Sequence, residues 1–174
     1  MRILKKIDLN EIDAFILDFD GVLTNNQVHI DQGGNEWVSC SRSDGLAFDV
    51  LRKLQKPAYI LSTEKNPVVI ARANKRKIPA IQGVDEKLAI INELSKNKGY
   101  KLSRLFYVGN DVNDFWAMKH CGYSACPYDS HPEIKKLAIF PLRTNGGSGV
   151  MREILEDILK LDFLKILYSF KGEE

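Results

Sequence analysis

Three cysteines in 174 residues, odd in number and without metal-ligand spacing, leave room for neither a disulfide framework nor a zinc site. Cys40, Cys121 and Cys126 read as buried or idle thiols in a reducing compartment. The N-terminus lacks an apolar stretch long enough for a signal peptide, and no later segment has the length to span a bilayer, so a cytoplasmic location is expected. Charge of one sign is also lacking. With 25 Lys and Arg against 23 Asp and Glu, formally +2 and scattered along the chain, neither a nucleic-acid surface nor a polybasic membrane patch is expected. A small anionic substrate is compatible with that balance. Repeats and low-complexity segments are absent, and the length suits one domain, 1–174, with at most a small accessory piece.

What is present is an apolar run that stops in two acids. Ala14-Phe15-Ile16-Leu17 reads as a buried parallel strand, and Asp18-Phe19-Asp20-Gly21 follows at its carboxyl end, where such strands present chemistry. Two carboxylates facing the same way repel unless a cation or shared proton offsets them. Magnesium, hard and oxygen-seeking, is the natural guest.

After the acids, Gln27–Ile30 and Glu36–Ser39 flank a Gly-rich turn and predict a β-hairpin over about 25–40, either a flap over the site or a plain surface hairpin. Ser43 and Asp44 can cap a helix to about Lys56 whose apolar face holds Leu46, Ala47, Val50, Leu51 and Leu54. Strand 58–61 ends at Ser62-Thr63, Asn66-Pro67 opens a helix, and Asp85–Lys98 is amphipathic. Leu105–Val108 ends in the polar turn Gly109–Asp114 before the helix containing Trp116, Ala117 and Met118. Tyr123–Cys126, a helix near His131–Lys136 and Ala138–Phe140 continue the alternation. That alternation predicts an α/β fold, a doubly wound parallel sheet. A last helix is expected over about Val150–Tyr168 within a C-terminal segment of about 149–174. Its apolar residues Ile154, Leu155, Ile158, Leu159, Phe163, Ile166, Leu167 and Phe170 exceed one stripe, which leaves open packing on another subunit or a wholly internal core.

The βα turns at Asp18/Asp20, Ser62/Thr63 and Asn110–Asp114, with Lys87 at a helix start, converge on one crevice in such a sheet. The set suits phosphoryl transfer. Asp18 can attack phosphorus, Asp20 can act as acid and then base, and Ser62 and Lys87 can hold the equatorial oxygens.

Asp18-x-Asp20-Gly-Val-Leu-Thr, a strand-terminal Ser62, Lys87 and Gly109-Asn110-Asp111-x-x-Asp114, in that order, resemble the four motifs of the haloacid dehalogenase superfamily of phosphatases. The resemblance covers nearly the whole chain. It implies Asp18 as nucleophile and Asp20 as acid/base, with magnesium on the Asp18 carboxylate and the Asp20 backbone carbonyl. Many relatives carry Gly-Asp-Asp where this chain has Gly109-Asn110-Asp111, so the remaining metal carboxylate is replaced by Asn110 or supplied by Asp111, with Asp114 orienting a ligand water or Lys87.

The flap-sized insert, the lack of a cap domain and the Gly146–Glu153 tail resemble more narrowly the 3-deoxy-octulosonate 8-phosphate phosphatases and their nonulosonate (sialic acid-like) 9-phosphate relatives. That resemblance implies a homotetramer in which a neighbour's residues help close the site. The octulosonate enzymes carry Thr-Gly-Arg after the second strand. Here Ser62-Thr63-Glu64-Lys65-Asn66 stands there, with Arg72 and Lys75 following, as in nonulosonate phosphatases and the phosphatase-like modules attached to sialic-acid cytidylyltransferases. The reading is thus a magnesium-dependent phosphatase of a 3-deoxy-nonulosonate 9-phosphate, with two alternatives: an octulosonate 8-phosphate phosphatase, or an oligomerisation module beside a cytidylyltransferase. Glu64 and Thr63 would face the sugar, and Arg72 or Lys75 would pair with its carboxylate unless they form an ordinary solvated helix face. Arg42 and Asp44 lie just past the flap, Arg42 within reach of substrate and Asp44 either there or capping a helix.

Overall fold

The structure is a computed structural model and describes residues 7–169. Along the chain run β1 (Ala14–Leu17), β2 (His29–Ile30), β3 (Glu36–Trp37), α1 (Arg42–Lys53), β4 (Ala58–Leu61), α2 (Val68–Arg76), β5 (Ala80–Ile81) and α3 (Lys87–Lys98). There follow β6 (Leu105–Val108), α4 (Phe115–His120), β7 (Tyr123–Cys126), α5 (Pro132–Leu137), β8 (Phe140–Pro141), α6 (Val150–Glu153) and α7 (Phe163–Tyr168).

Six strands form one parallel sheet in the order β5-β4-β1-β6-β7-β8. Strand β1 lies inside the sheet, pairing Leu17 with Ile60 on one side and Val108 on the other, and all four of its residues are buried. Side chains alternate across a strand, so Phe15 and Leu17 pack with α1, α6 and α7 on one face. Ala14 and Ile16 pack with α3, α4 and α5 on the other. Fully burying a side chain of the size of Phe15 contributes about 1.5–3 kcal/mol, so these two layers fix β1 and hence the position of the acids that follow it.

The predicted hairpin is present as two-residue strands, joined through Asp31, whose Oδ1 accepts from the amides of Gly33 (2.8 Å) and Asn35 (2.9 Å). His29 and Trp37 stack across it at 5.8 Å, and a Thr24–Cys40 bridge closes its base. The hairpin leans on the second motif: Asn66 Nδ2 donates to Glu36 Oε2 at 2.8 Å.

Several local expectations are corrected. Ser41, not Ser43 or Asp44, caps α1, its hydroxyl accepting from the Ser43 amide at 3.1 Å. Leu46 and Leu54 are exposed, and the buried face of α1 is Ala47, Phe48, Val50 and Leu51. The last helix is not continuous. After α6 the chain makes a π turn over Ile154–Ile158, then reverses at Lys160, which has φ 57°, before α7. The break folds Phe163 back into the core, so Ile154, Leu155, Leu159 and Phe163 are all buried within this chain, and Ile158, Ile166 and Leu167 pack against the same core. Phe170 lies outside the described residues. Cys121 and Cys126 are buried free thiols, pushed by burial up to about 12 and about 11, while Cys40 is half-buried. Among the described residues no helix is long and apolar enough to cross a membrane.

Candidate active site

Strand pairing carries one residue past β1. The Asp18 amide donates to Val108 O at 2.9 Å, so Asp18 is held at the sheet rim and is only 4% exposed. Gly21, at φ 77°, then turns the chain sharply, and the amides of Leu23 and Thr24 fold back onto Phe19 O. The Thr24 hydroxyl ties this loop together, accepting from the Gly21 amide (3.1 Å) and donating to Asp20 Oδ1 (3.3 Å).

Lys87 opens α3 and is buried. Its ammonium lies 2.9 Å from Asp18 Oδ2 and 2.7 Å from Asp114 Oδ1. Asp114 is fully engaged: Oδ1 also accepts from the Tyr107 hydroxyl at 2.7 Å, and Oδ2 accepts from the Asn110 amide at 2.9 Å and the Asp111 amide at 3.4 Å. A carboxylate has about four lone-pair positions, and all four are occupied. Asp114, expected to orient a ligand water or Lys87, orients Lys87. Tyr107 was not among the candidates, although a tyrosine in a wholly buried strand must find a partner for its hydroxyl.

Burial and the neighbouring Asp114 push the Asp18 carboxyl up to about 8, against the opposing pull of Lys87 and the Phe19 amide. Burial alone would lower Lys87, but Asp18 and Asp114 outweigh it and keep the ammonium protonated. Burial also raises Asp20, and the Glu64 carboxylate raises it further, against the Thr24 hydrogen bond. Glu64 is thus close enough for its charge to be felt at Asp20. Its Oε1 accepts from the amides of Lys65 (2.6 Å) and Asn66 (2.8 Å), which fixes the exposed carboxylate at the rim. Ser62 is buried beneath it, its hydroxyl accepting from the Glu64 amide at 3.1 Å, while Thr63 is exposed.

Asn110 and Asp111 separate cleanly. Asp111 caps the turn over Val112–Asp114, accepting from the Val112 amide at 2.7 Å. Asn110 packs against Gly21, where a Cβ would sit 1.9 Å from its Nδ2, and its Oδ1 is buried without a hydrogen-bond partner among the described residues.

The structure does not bring Arg42, Arg72 and Lys75 into this crevice. They line a separate cleft of about 520 Å³ between α1 and α2, together with Arg76 and Arg152. Arg72 donates to Ser41 O at 2.7 Å. Asp44 does not cap its own helix. It is buried, and its Oδ1 accepts from the Met151 amide at 2.8 Å, at the start of α6.

Four segments brace one another around the acids. The Gly147 amide donates to Val22 O (3.0 Å), the Gly146 amide to Asp129 Oδ1 (2.9 Å) and the His131 amide to Asn110 O (2.9 Å), while the Asn110 side chain closes on Gly21. Gly146 has to be glycine, because a Cβ there would meet Gly21 O at 2.2 Å.

Comparison with known proteins agrees with this arrangement. Residues 52–154 match the family of haloacid dehalogenase-like hydrolases. The 3-deoxy-D-manno-octulosonate 8-phosphate phosphatase KdsC of Haemophilus influenzae is 31% identical over 153 residues, 87% of this chain and 85% of that protein. A solved chain described as a HAD family hydrolase from Streptomyces avermitilis superposes with a TM-score of 0.88 and 38% identity, covering 97% of this chain and 95% of that one. The 3-deoxy-D-manno-octulosonate 8-phosphate phosphatase of Moraxella catarrhalis, solved with magnesium, phosphate and KDO, gives 0.83 and 29%, covering 87% and 88%. The chain belongs to the haloacid dehalogenase-like hydrolases, as a phosphoric monoester hydrolase without a cap domain.

A divalent cation is what this family implies, and the residues present fit one. Asp18 at the rim, Asp20 in the turn that follows and Asn110 Oδ1, a buried oxygen without a partner among the described residues and packed on the same loop, are hard oxygen donors of the kind such a cation takes.

Proposed function

We propose that the protein is a magnesium-dependent phosphatase of a 3-deoxy-nonulosonate 9-phosphate. The observation that carries the specificity is Glu64: a carboxylate fixed by two amides at the crevice rim, within electrostatic reach of Asp20, where the octulosonate enzymes resembled by this chain carry an arginine. A carboxylate there accepts hydrogen bonds from the hydroxyls or amine of a longer sugar acid.

Asp18, held by Lys87 and the Phe19 amide, attacks phosphorus to form an aspartyl-phosphate as the bond to the sugar oxygen breaks. Asp20, whose carboxyl burial shifts toward the protonated form, gives its proton to that oxygen, then takes one from the water that attacks the acyl phosphate and returns Asp18 and phosphate. Lys87 and Ser62 hold the equatorial oxygens. Magnesium, held by Asp18, the Asp20 carbonyl and Asn110, would offset phosphoryl charge as it builds.

Arg72 and Lys75 sit about 6 and 10 Å along α2 from its first residue, at about 1.5 Å per residue, and open into the α1/α2 cleft. In the homotetramer this reading carries, they meet the sugar carboxylate in a neighbour's crevice. The second reading, an octulosonate 8-phosphate phosphatase, is favoured by the names of the relatives. Phosphate release from nonulosonate 9-phosphates and octulosonate 8-phosphate, with magnesium and with chelator, decides. Preference for the nine-carbon acids is expected, preference for the eight-carbon acid reverses the specificity, and turnover insensitive to chelator removes the metal. No turnover of either by folded protein leaves the oligomerisation module.

A further inference from the structure

Asp44 is a buried carboxylate that the chemistry above does not use, and it reaches across 107 residues of sequence to bond the Met151 amide. The amides of Gly149 and Arg152 lie close by, so the carboxylate faces the start of α6. That turn follows the Gly146–Gly149 segment directly. Gly146 lies flush on Gly21 O, and Gly147 donates to Val22 O, one residue past the turn that carries Asp20. The far side of the same segment is pinned as well, since Glu153 Oε2 accepts from the Thr144 amide at 2.8 Å.

The surroundings of Asp44 are built to keep it there. Its side chain lines a cavity of about 10 Å³ with Leu23, Ser41, Phe48, Arg72 and Arg76. Arg76 reaches this place because residue 45 is glycine: a Cβ there would stand 2.4 Å from its Nη1. Two guanidinium groups from α2, those of Arg72 and Arg76, and the half-buried Cys40 thiol are the charged and titratable groups that face it, while Arg152 turns its guanidinium to Glu156 and offers only its amide.

We infer that Asp44 is a positioning residue of the phosphatase site, acting through the start of α6 and the Gly146–Gly147 turn on the loop that holds Asp20. Removing the clasp frees the glycine turn, and the Asp20 loop loses the surface against which it is seated. The inference needs only phosphatase activity and is independent of which sugar acid is the substrate.

The test uses p-nitrophenyl phosphate with magnesium and compares wild type with Asp44→Ala, Asp44→Asn and Gly147→Ala. Asp44→Ala is expected to lower kcat about tenfold to a hundredfold with KM within about twofold, a loss of the size that small misplacement of a catalytic group produces. Asp44→Asn keeps an acceptor for the Met151 amide and restores most of kcat. Gly147→Ala cuts the same link at its other end, so the double variant loses no more than the worse single one. Hydrogen exchange in folded Asp44→Ala rises at 146–152 and also at 20–24. Wild-type kcat in Asp44→Ala, additive losses in the double variant, or faster exchange confined to 149–152 would each overturn the inference. Should the variants not fold, wild-type exchange serves: the Gly147 and Met151 amides opening together support the clasp, and rates differing by about tenfold or more refute it.

Discussion

Glu36 in the flap and Asn66 at the head of α2 are joined by a hydrogen bond of 2.8 Å, carboxylate to amide nitrogen. The flap, whose strands are exposed, is thereby tied to the turn that carries Glu64. An exposed bond of this kind is worth about 0.5–1.5 kcal/mol. Asn66→Ala should raise KM for the sugar phosphate about twofold to tenfold and leave kcat for p-nitrophenyl phosphate unchanged, as read by steady-state kinetics. Equal effects on both esters would place the tie in the chemistry instead of in substrate selection.

Asp18 and Asp20 divide the reaction between them. Asp18→Asn should remove turnover by about four orders of magnitude or more, since no other group replaces the nucleophile. Asp20→Asn keeps the nucleophile but loses the base for the second step. With p-nitrophenyl phosphate, whose leaving group needs no proton, it should release one burst equivalent and accumulate a phosphorylated Asp18 visible by mass spectrometry.

Lys87 is the only cation hydrogen-bonded to Asp18 and Asp114 among the described residues, and all three are buried. Removing one partner of such a group leaves uncompensated charge, at about 3–5 kcal/mol. Lys87→Met should lose that much in urea unfolding. Tyr107→Phe, which deletes a single buried bond to Asp114, should lose about 1–3 kcal/mol.

Burial pushes the Asp44 carboxyl from 3.8 up to about 6, despite the Met151 and Arg152 amides and the nearby Arg72. The folded state then holds the proton more tightly than the unfolded chain. Its contribution is complete below about 3.8 and is lost as pH rises through about 6, a total of about 3 kcal/mol. Unfolding of wild type and Asp44→Asn from about pH 4 to pH 7 should show wild type losing stability relative to the variant by up to that amount. A difference constant with pH would contradict the shift.

The proposed sharing of sites between subunits has its own check. Asp18→Asn has no working crevice, and the double variant Arg72→Ala, Lys75→Ala has no carboxylate partner to lend. Each should be nearly inactive on the sugar phosphate alone. Mixed and reassembled, they should recover a fraction of wild-type activity, because one subunit supplies the intact crevice and its neighbour the intact cations. No recovery in a mixed oligomer would confine both functions to one chain.

The sheet and the acid pair could be read locally, because β1 is a short apolar run whose carboxyl end must be the rim, and Lys87 stands where a helix begins. The roles of Asp44 and Tyr107 could not. Asp44 sits in a helix-start sequence that looks complete with Ser43, yet its partner is Met151, and no local pattern encodes a contact of that span. Tyr107 reads as one more large residue in a buried strand until Asp114 is seen to fold back beneath it. The apolar positions after Gly149 fit one long helix, but Lys160 adopts a left-handed conformation that turns Phe163 inward, a tertiary choice that periodicity does not reveal. Arg72 and Lys75 follow Glu64 closely in sequence and still open onto a different surface, because α2 carries them away from the rim.

The four segments around the acids, 20–24, 109–110, 129–131 and 146–147, touch in a circuit and not in a row. A row of loops hinges wherever its weakest contact parts. A circuit has no free end, so a shift of one segment is passed to its neighbours on both sides, and each segment is seated by the two it touches. The acids therefore share one frame, and a disturbance anywhere along it reaches them.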